Sequence, residues 1–202
     1  LKPMHITLSQ LRPYYAPHLL PLAITVSVTL IALGGSGWAD LFRFDREAIL
    51  HGQIWRLFSG HLVHLGWSHL WMNIAGLALI WALVGSRFST RQWLVILAGS
   101  ALGISLGLLI FNPELDWYVG LSGVLHGLLV AGAIIEIRRD RLSGYALLIV
   151  IAATLLWEQI AGPLPWSAVT AGGTVIIDAH LYGGLCGAVF GGLLKPASFS
   201  QH

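Results

Sequence analysis

Apolar residues gather in six long blocks along the 202-residue chain, near positions 19–37, 67–85, 93–111, 120–137, 145–162 and 174–194, and polar residues crowd the gaps between them. Each block is close to the roughly 20 residues that a helix needs to cross a bilayer core of about 30 Å. The pattern predicts an all-α membrane protein built as a bundle of six transmembrane helices. Six spans leave almost nothing for a second unit, so residues 1–202 are read as a single membrane domain. Composition agrees: 56% hydrophobic residues, 10% charged residues and a mean hydropathy of +0.76 exclude a soluble domain with a polar surface. The first block lacks a small-residue cleavage site and is followed by more membrane, which argues against a cleaved signal peptide. Leu1 in place of Met points to a trimmed start.

Charge then sets an orientation. Lys2, Arg12, Arg87, Arg91, Arg138, Arg139, Arg141 and Lys195 fall in the terminal segments and the second and fourth connections, against Arg43, Arg46 and Arg56 on the other side. The excess of basic residues predicts cytoplasmic N- and C-termini. Trp38, Trp55, Trp67, Trp117, Trp157 and Trp166 lie near the outer ends of the blocks, where an amphipathic indole suits the headgroup layer. The net charge of +2 follows from this sidedness and implies no nucleic-acid partner. The single cysteine, Cys186, excludes an intramolecular disulfide and a multi-cysteine metal cluster, and reads as a packing residue.

Two connections stand out. The first outer loop, 36–66, mixes Phe42-Arg43-Phe44 with Gly52-Gln53-Ile54-Trp55-Arg56, as a segment lying on the membrane surface would; the alternative is a solvated linker. The last outer connection, 162–173, is rich in Pro and Gly and is a candidate gate or cap.

Polar residues inside the blocks carry the chemistry. The second, fourth and sixth blocks run in the same direction, so their first turns share one depth, and that depth holds His69, Asn73, Ser122 and His180. Polar groups in hydrocarbon are costly and turn toward a protein interior or a watery cavity. Small residues repeat at four-residue spacing, as Gly123, Gly127 and Ala131 in the fourth block and Gly183, Gly187 and Gly191 in the sixth, so the two helices are expected to touch. Contact there would bring the Ser122 hydroxyl and the His180 imidazole together as a nucleophile and base. His69 and Asn73, four residues apart, share a helical face and could donate hydrogen bonds to a developing oxyanion. Asp178 lies two residues from His180 and points to another face, so no third member is expected from it.

At these residues the chain resembles the rhomboid family of intramembrane serine proteases. The matching segments are His69-Leu70-Trp71-Met72-Asn73, Gly120-Leu121-Ser122-Gly123 and His180-Leu181-Tyr182-Gly183, with Trp55-Arg56 in the first loop as a further mark. The resemblance implies a rhomboid-like bundle, Ser122 as nucleophile, His180 as general base, and His69, Asn73 and the Ser122 backbone N–H as an oxyanion and substrate-binding site beside Gly120. It also implies supporting roles for His126, Gly123, Gly183, Trp55 and Arg56. Rhomboids often carry tyrosine where this chain has His126. That departure, the short chain and the Ser-Gly-x-x-His-Gly continuation are most like the rhombosortases of Gram-negative bacteria. The implied clients are exported proteins with a C-terminal membrane tail containing Gly-Gly, cut near the periplasmic face of the inner membrane with no cofactor or metal. Alternatives are a general rhomboid protease of single-span proteins, a metal- or haem-binding protein using His61, His64, His69, His126 and His180, and a non-catalytic relative that holds clients without cutting them.

Overall fold

The computed structural model describes residues 18–196. Lys2, Arg12 and the trimmed start therefore lie outside the described residues. Within them a helix occupies the middle of every apolar block, and the membrane-spanning part of the fold is helical.

The first block forms α1 (Leu19–Leu33) and then turns sharply at Gly34 into α2 (Gly35–Phe42), at 119°. This corrects the expected first span, which ran to residue 37: the chain leaves its first direction four residues earlier. The outer loop is folded rather than a linker. It contains α3 (Arg46–Leu50), capped by the Asp45 carboxylate on the Ala48 N–H at 3.0 Å, and α4 (Arg56–Ser59), followed by a 3₁₀ turn at Gly60–Leu62. A two-residue strand, β1 (Phe44–Asp45), pairs antiparallel with β2 (Trp117–Tyr118), a small exception to an all-α reading.

The second and third blocks become α5 (Trp67–Val84) and α6 (Thr90–Phe111), the latter started by a capping box between Ser89 and Gln92. The fourth becomes α7 (Ser122–Ile137), which begins two residues later than expected. α8 (Arg141–Ala161) starts on the Asp140 side chain, and the connection after it folds into the short α9 (Ser167–Ala171). The last block gives α10 (Ile177–Leu193). Among the described residues three helices are long and apolar enough to cross a membrane alone: α5 with its 3₁₀ extension, α6 and α8; the bent pair α1–α2 raises the number to four. α7 and α10, at 16 and 17 residues, are shorter.

Packing centres on α7. Eleven of its sixteen residues are buried, and its most extensive neighbour is α10. A Cβ on Gly123 would stand 2.7 Å from the Ala179 carbonyl oxygen, and one on Gly127 would stand 2.8 Å from that of Gly183. Side chains there would overlap main chain, so only glycine permits this approach. Elsewhere the surface is apolar: Leu79, Ile110, Ile149, Val150 and Ile160 are all exposed. Such a belt suits lipid and not water. The six expected anchoring tryptophans are 45–65% exposed, whereas Trp93 is buried and donates its indole N–H to the Gly85 carbonyl. At the opposite end Arg87 pairs with the buried Glu136 carboxylate, tying α5 to α7.

Candidate active site

The site is assembled from the outer loop inward. Arg46 donates to the carbonyls of Leu108, Leu109, Asn112 and Leu115, so a cation satisfies the open C-terminal end of α6. Arg56, buried, donates to Gln53 Oε1 and to the carbonyls of Asp40 and Arg43, while the Trp55 indole reaches the Leu41 carbonyl at 3.4 Å. Trp55 and Arg56 therefore knit the loop together and do not line the cavity at Ser122. The loop in turn holds the segment preceding α7: besides the β1–β2 pairing, the Gly120 N–H donates to the Gly60 carbonyl and the Tyr118 hydroxyl donates to the Gly120 carbonyl at 2.7 Å. Gly120 has φ +131° and faces His69, where a side chain would meet the imidazole. Glycine fits this position on both counts.

That clamp delivers Ser122 as the first residue of α7. Its backbone N–H is among the first-turn donors that the helix cannot satisfy, and no side chain caps this end. Ser122 Oγ lies 2.8 Å from His180 Nε2 on α10. The glycine seam between α7 and α10 produces this approach, as the four-residue spacing of small residues anticipates. His126, one turn below the serine, donates from Nδ1 to the Ser122 carbonyl at 2.8 Å and stacks on the His180 ring at a centroid distance of 4.3 Å and an angle of 12°.

His69 and Asn73 are both buried and line the same cavity as Ser122 and His180. The Leu65 N–H donates to His69 Nδ1 at 3.3 Å, which leaves the proton on Nε2. Asn73 spends one amide proton on the His69 carbonyl at 3.0 Å and keeps another for a ligand. The cavity, about 300 Å³, runs between α5 and α7 and is closed on one side by Ser167 and Ala171 of α9, so the Pro/Gly-rich connection lies over it.

One member of this cluster has no counterpart in the sequence reading. Glu158, near the C-terminal end of α8 and 2% exposed, accepts from His180 Nδ1 at 2.8 Å through Oε2 and at 3.1 Å through Oε1. A lone carboxylate at the outer end of an apolar block was the available signal. Asp178 faces elsewhere, accepting from Asn112 Nδ2, whose Oδ1 receives the Tyr182 hydroxyl.

The histidines do not form the ligand set of the metal or haem alternative. His61 donates from Nε2 toward the Ala101 carbonyl and Ser105 Oγ, and burial pulls its imidazole down to about 4. His126, Glu158 and His180 do bring ligand-type atoms within 4.8 Å of one another. Their two rings are stacked, however, so the in-plane lone pairs run side by side instead of converging, and both nitrogens of His180 are already engaged. The geometry suits proton transfer better than ion binding.

A serine hydroxyl on a histidine, with hydrogen-bond donors beside it in a bundle of apolar helices, defines the class: an intramembrane serine hydrolase. A family model described as "Rhomboid domain" matches residues 51–197, and the chain belongs to the rhomboid family. It is similar, at 26% identity over 151 residues, to a Bacillus subtilis (strain 168) protein named "Putative rhomboid protease YdcA", covering 74% of this chain and 71% of that one. The protein is accordingly a multi-pass membrane protein and a rhomboid-type serine protease, a kind of enzyme that cleaves membrane-protein substrates.

Proposed function

We propose that the protein is a rhombosortase-like endopeptidase of the bacterial inner membrane, built from six spans with both termini cytoplasmic. It cuts exported proteins near the periplasmic face, within or beside a C-terminal membrane tail that contains Gly-Gly. The observation that carries the mechanism is the 2.8 Å contact between Ser122 Oγ and His180 Nε2 in a chain of this family. His180 takes the serine proton as Oγ attacks the scissile carbonyl, then returns it to the leaving amine. The oxyanion forms against the Ser122 backbone N–H, His69 Nε2–H and the free Asn73 amide proton, in a site where fixed donors replace water. No cofactor or metal enters the reaction. A client helix hides its carbonyls in hydrogen bonds, so it must unwind to react; Gly-Gly lowers the cost of unwinding. The departure at His126, where rhomboids often have tyrosine, supports the subfamily reading.

The test uses membrane preparations and two reporters, one with a Gly-Gly C-terminal membrane tail and one with a general rhomboid substrate helix. Cleavage of the first alone, abolished in Ser122→Ala and His180→Ala, is the expected result. Asn73→Ala lowers turnover by about a hundredfold or more, because one oxyanion donor is gone. Cleavage of the second reporter would make the protein a general rhomboid protease. Cleavage that survives Ser122→Ala would remove the serine mechanism.

A further inference from the structure

Glu158 is costly where it sits. A carboxylate among apolar helices loses its hydration and stays only if charge or hydrogen bonds compensate it. Its neighbour is not a fixed cation but the imidazole that bonds the serine, with Glu158 on Nδ1 and Ser122 on Nε2 of the same ring. His180 is itself buried, wedged between the carboxylate and the stacked ring of His126. The geometry points to Glu158 as a positioning residue that completes a Ser122–His180–Glu158 triad, and this inference rests on the proposed Ser122–His180 mechanism.

The carboxylate does two things. In the resting site it accepts the Nδ1 proton, which fixes the tautomer whose Nε2 lone pair faces the serine hydroxyl. During attack the bond from Oγ to the substrate carbon forms, the carbonyl electron pair moves onto the oxygen, and the serine proton passes to Nε2. The resulting imidazolium is an isolated cation in an apolar site unless a counter-charge lies against it, and Glu158 supplies one through a charge-assisted hydrogen bond. When the intermediate collapses, the C–N bond breaks and the same proton leaves Nε2 for the amine. Glu158 remains a carboxylate throughout.

A purely structural pairing of α8 with α10 would leave the same contact but different kinetics. The experiment therefore measures kcat, KM and thermal unfolding of the whole protein in lipid vesicles, using a single-span substrate. The variants are Glu158→Gln, the apolar near-isostere Glu158→Met, Ser122→Ala and His180→Ala. If Glu158 acts through His180, Glu158→Gln and Glu158→Met lose about a hundredfold to ten-thousandfold in kcat at nearly constant KM and an unchanged unfolding temperature. A folded Glu158→Gln or Glu158→Met protein that keeps kcat within about threefold of wild type, while Ser122→Ala is dead, overturns the triad and leaves the dyad standing. Should Glu158→Gln not fold, the Glu158→Met protein decides. Cleavage by Ser122→Ala would instead overturn the underlying mechanism, which separates the two failures.

Discussion

His61 stands away from the reacting groups and packs against the segment that leads into the serine. The ring is buried in the 3₁₀ turn after α4 and lies edge-to-face against Tyr118, whose hydroxyl holds the Gly120 carbonyl two residues before the serine. It is neutral in the fold because burial outweighs its hydrogen bonds and lowers its imidazole from 6.5 to about 4. Protons therefore bind the unfolded chain more readily than the folded one between those values. The stabilisation is complete above pH 6.5 and is lost as pH falls toward 4. His64, also lowered by burial and by His69 to about 3, adds to the same slope. The unfolding temperature in detergent should accordingly drop between pH 6.5 and 4, and His61→Gln should flatten part of that drop; an unchanged slope in the variant would contradict the assignment. At this scale Ser122, His180, His69 and Asn73 were legible, because polar groups in apolar blocks have few benign explanations. Glu158 is harder to place from the sequence. Shared depth is easy to see among blocks running in one direction, whereas α8 runs the other way and brings its C-terminal end to His180.

Among the elements, the seam of α7 and α10 was the most readable, since small residues four apart can only serve a close face. The bend was less so: Gly34-Gly35-Ser36-Gly37 interrupts the block and Gly35 takes φ +67°, a conformation that glycine favours, but counting apolar length alone carries the span through it. The internal structure of the loop that follows was also hidden, because Arg46 and Arg56 stabilise it through backbone carbonyls, partners that no side-chain pattern reveals. The seam makes a sharp prediction. A methyl group at Gly187 would collide with the main chain of Gly127, and overpacking of a tight contact costs about 1–3 kcal/mol. Gly187→Ala should lower the unfolding temperature and reduce kcat, because the helices separate where serine and histidine meet. The exposed Gly192, where an added Cβ would meet nothing within 4 Å, is the control: Gly192→Ala should lower neither value. An equal loss at the two positions would mean that the close contact does not set the result.

Across the whole molecule, the apolar belt and the half-exposed tryptophans describe a body immersed in lipid. The sidedness of its charges predicts which end meets which compartment. In a Cys186→Ala background, a cysteine at Glu114 should react with an impermeant maleimide added to intact spheroplasts, whereas one at Arg139 should react only after permeabilisation. The opposite pattern would invert the orientation. The contact between α7 and α10 has a consequence at this scale as well. Its two surfaces are peptide groups, which have no rotamers to adjust and little room to compress. The reach from serine to histidine is thus gauged by the thickness of two backbones. A thicker or thinner bilayer will tilt the lipid-facing helices before it alters that gauge, so the proton transfer keeps its distance in membranes of different composition.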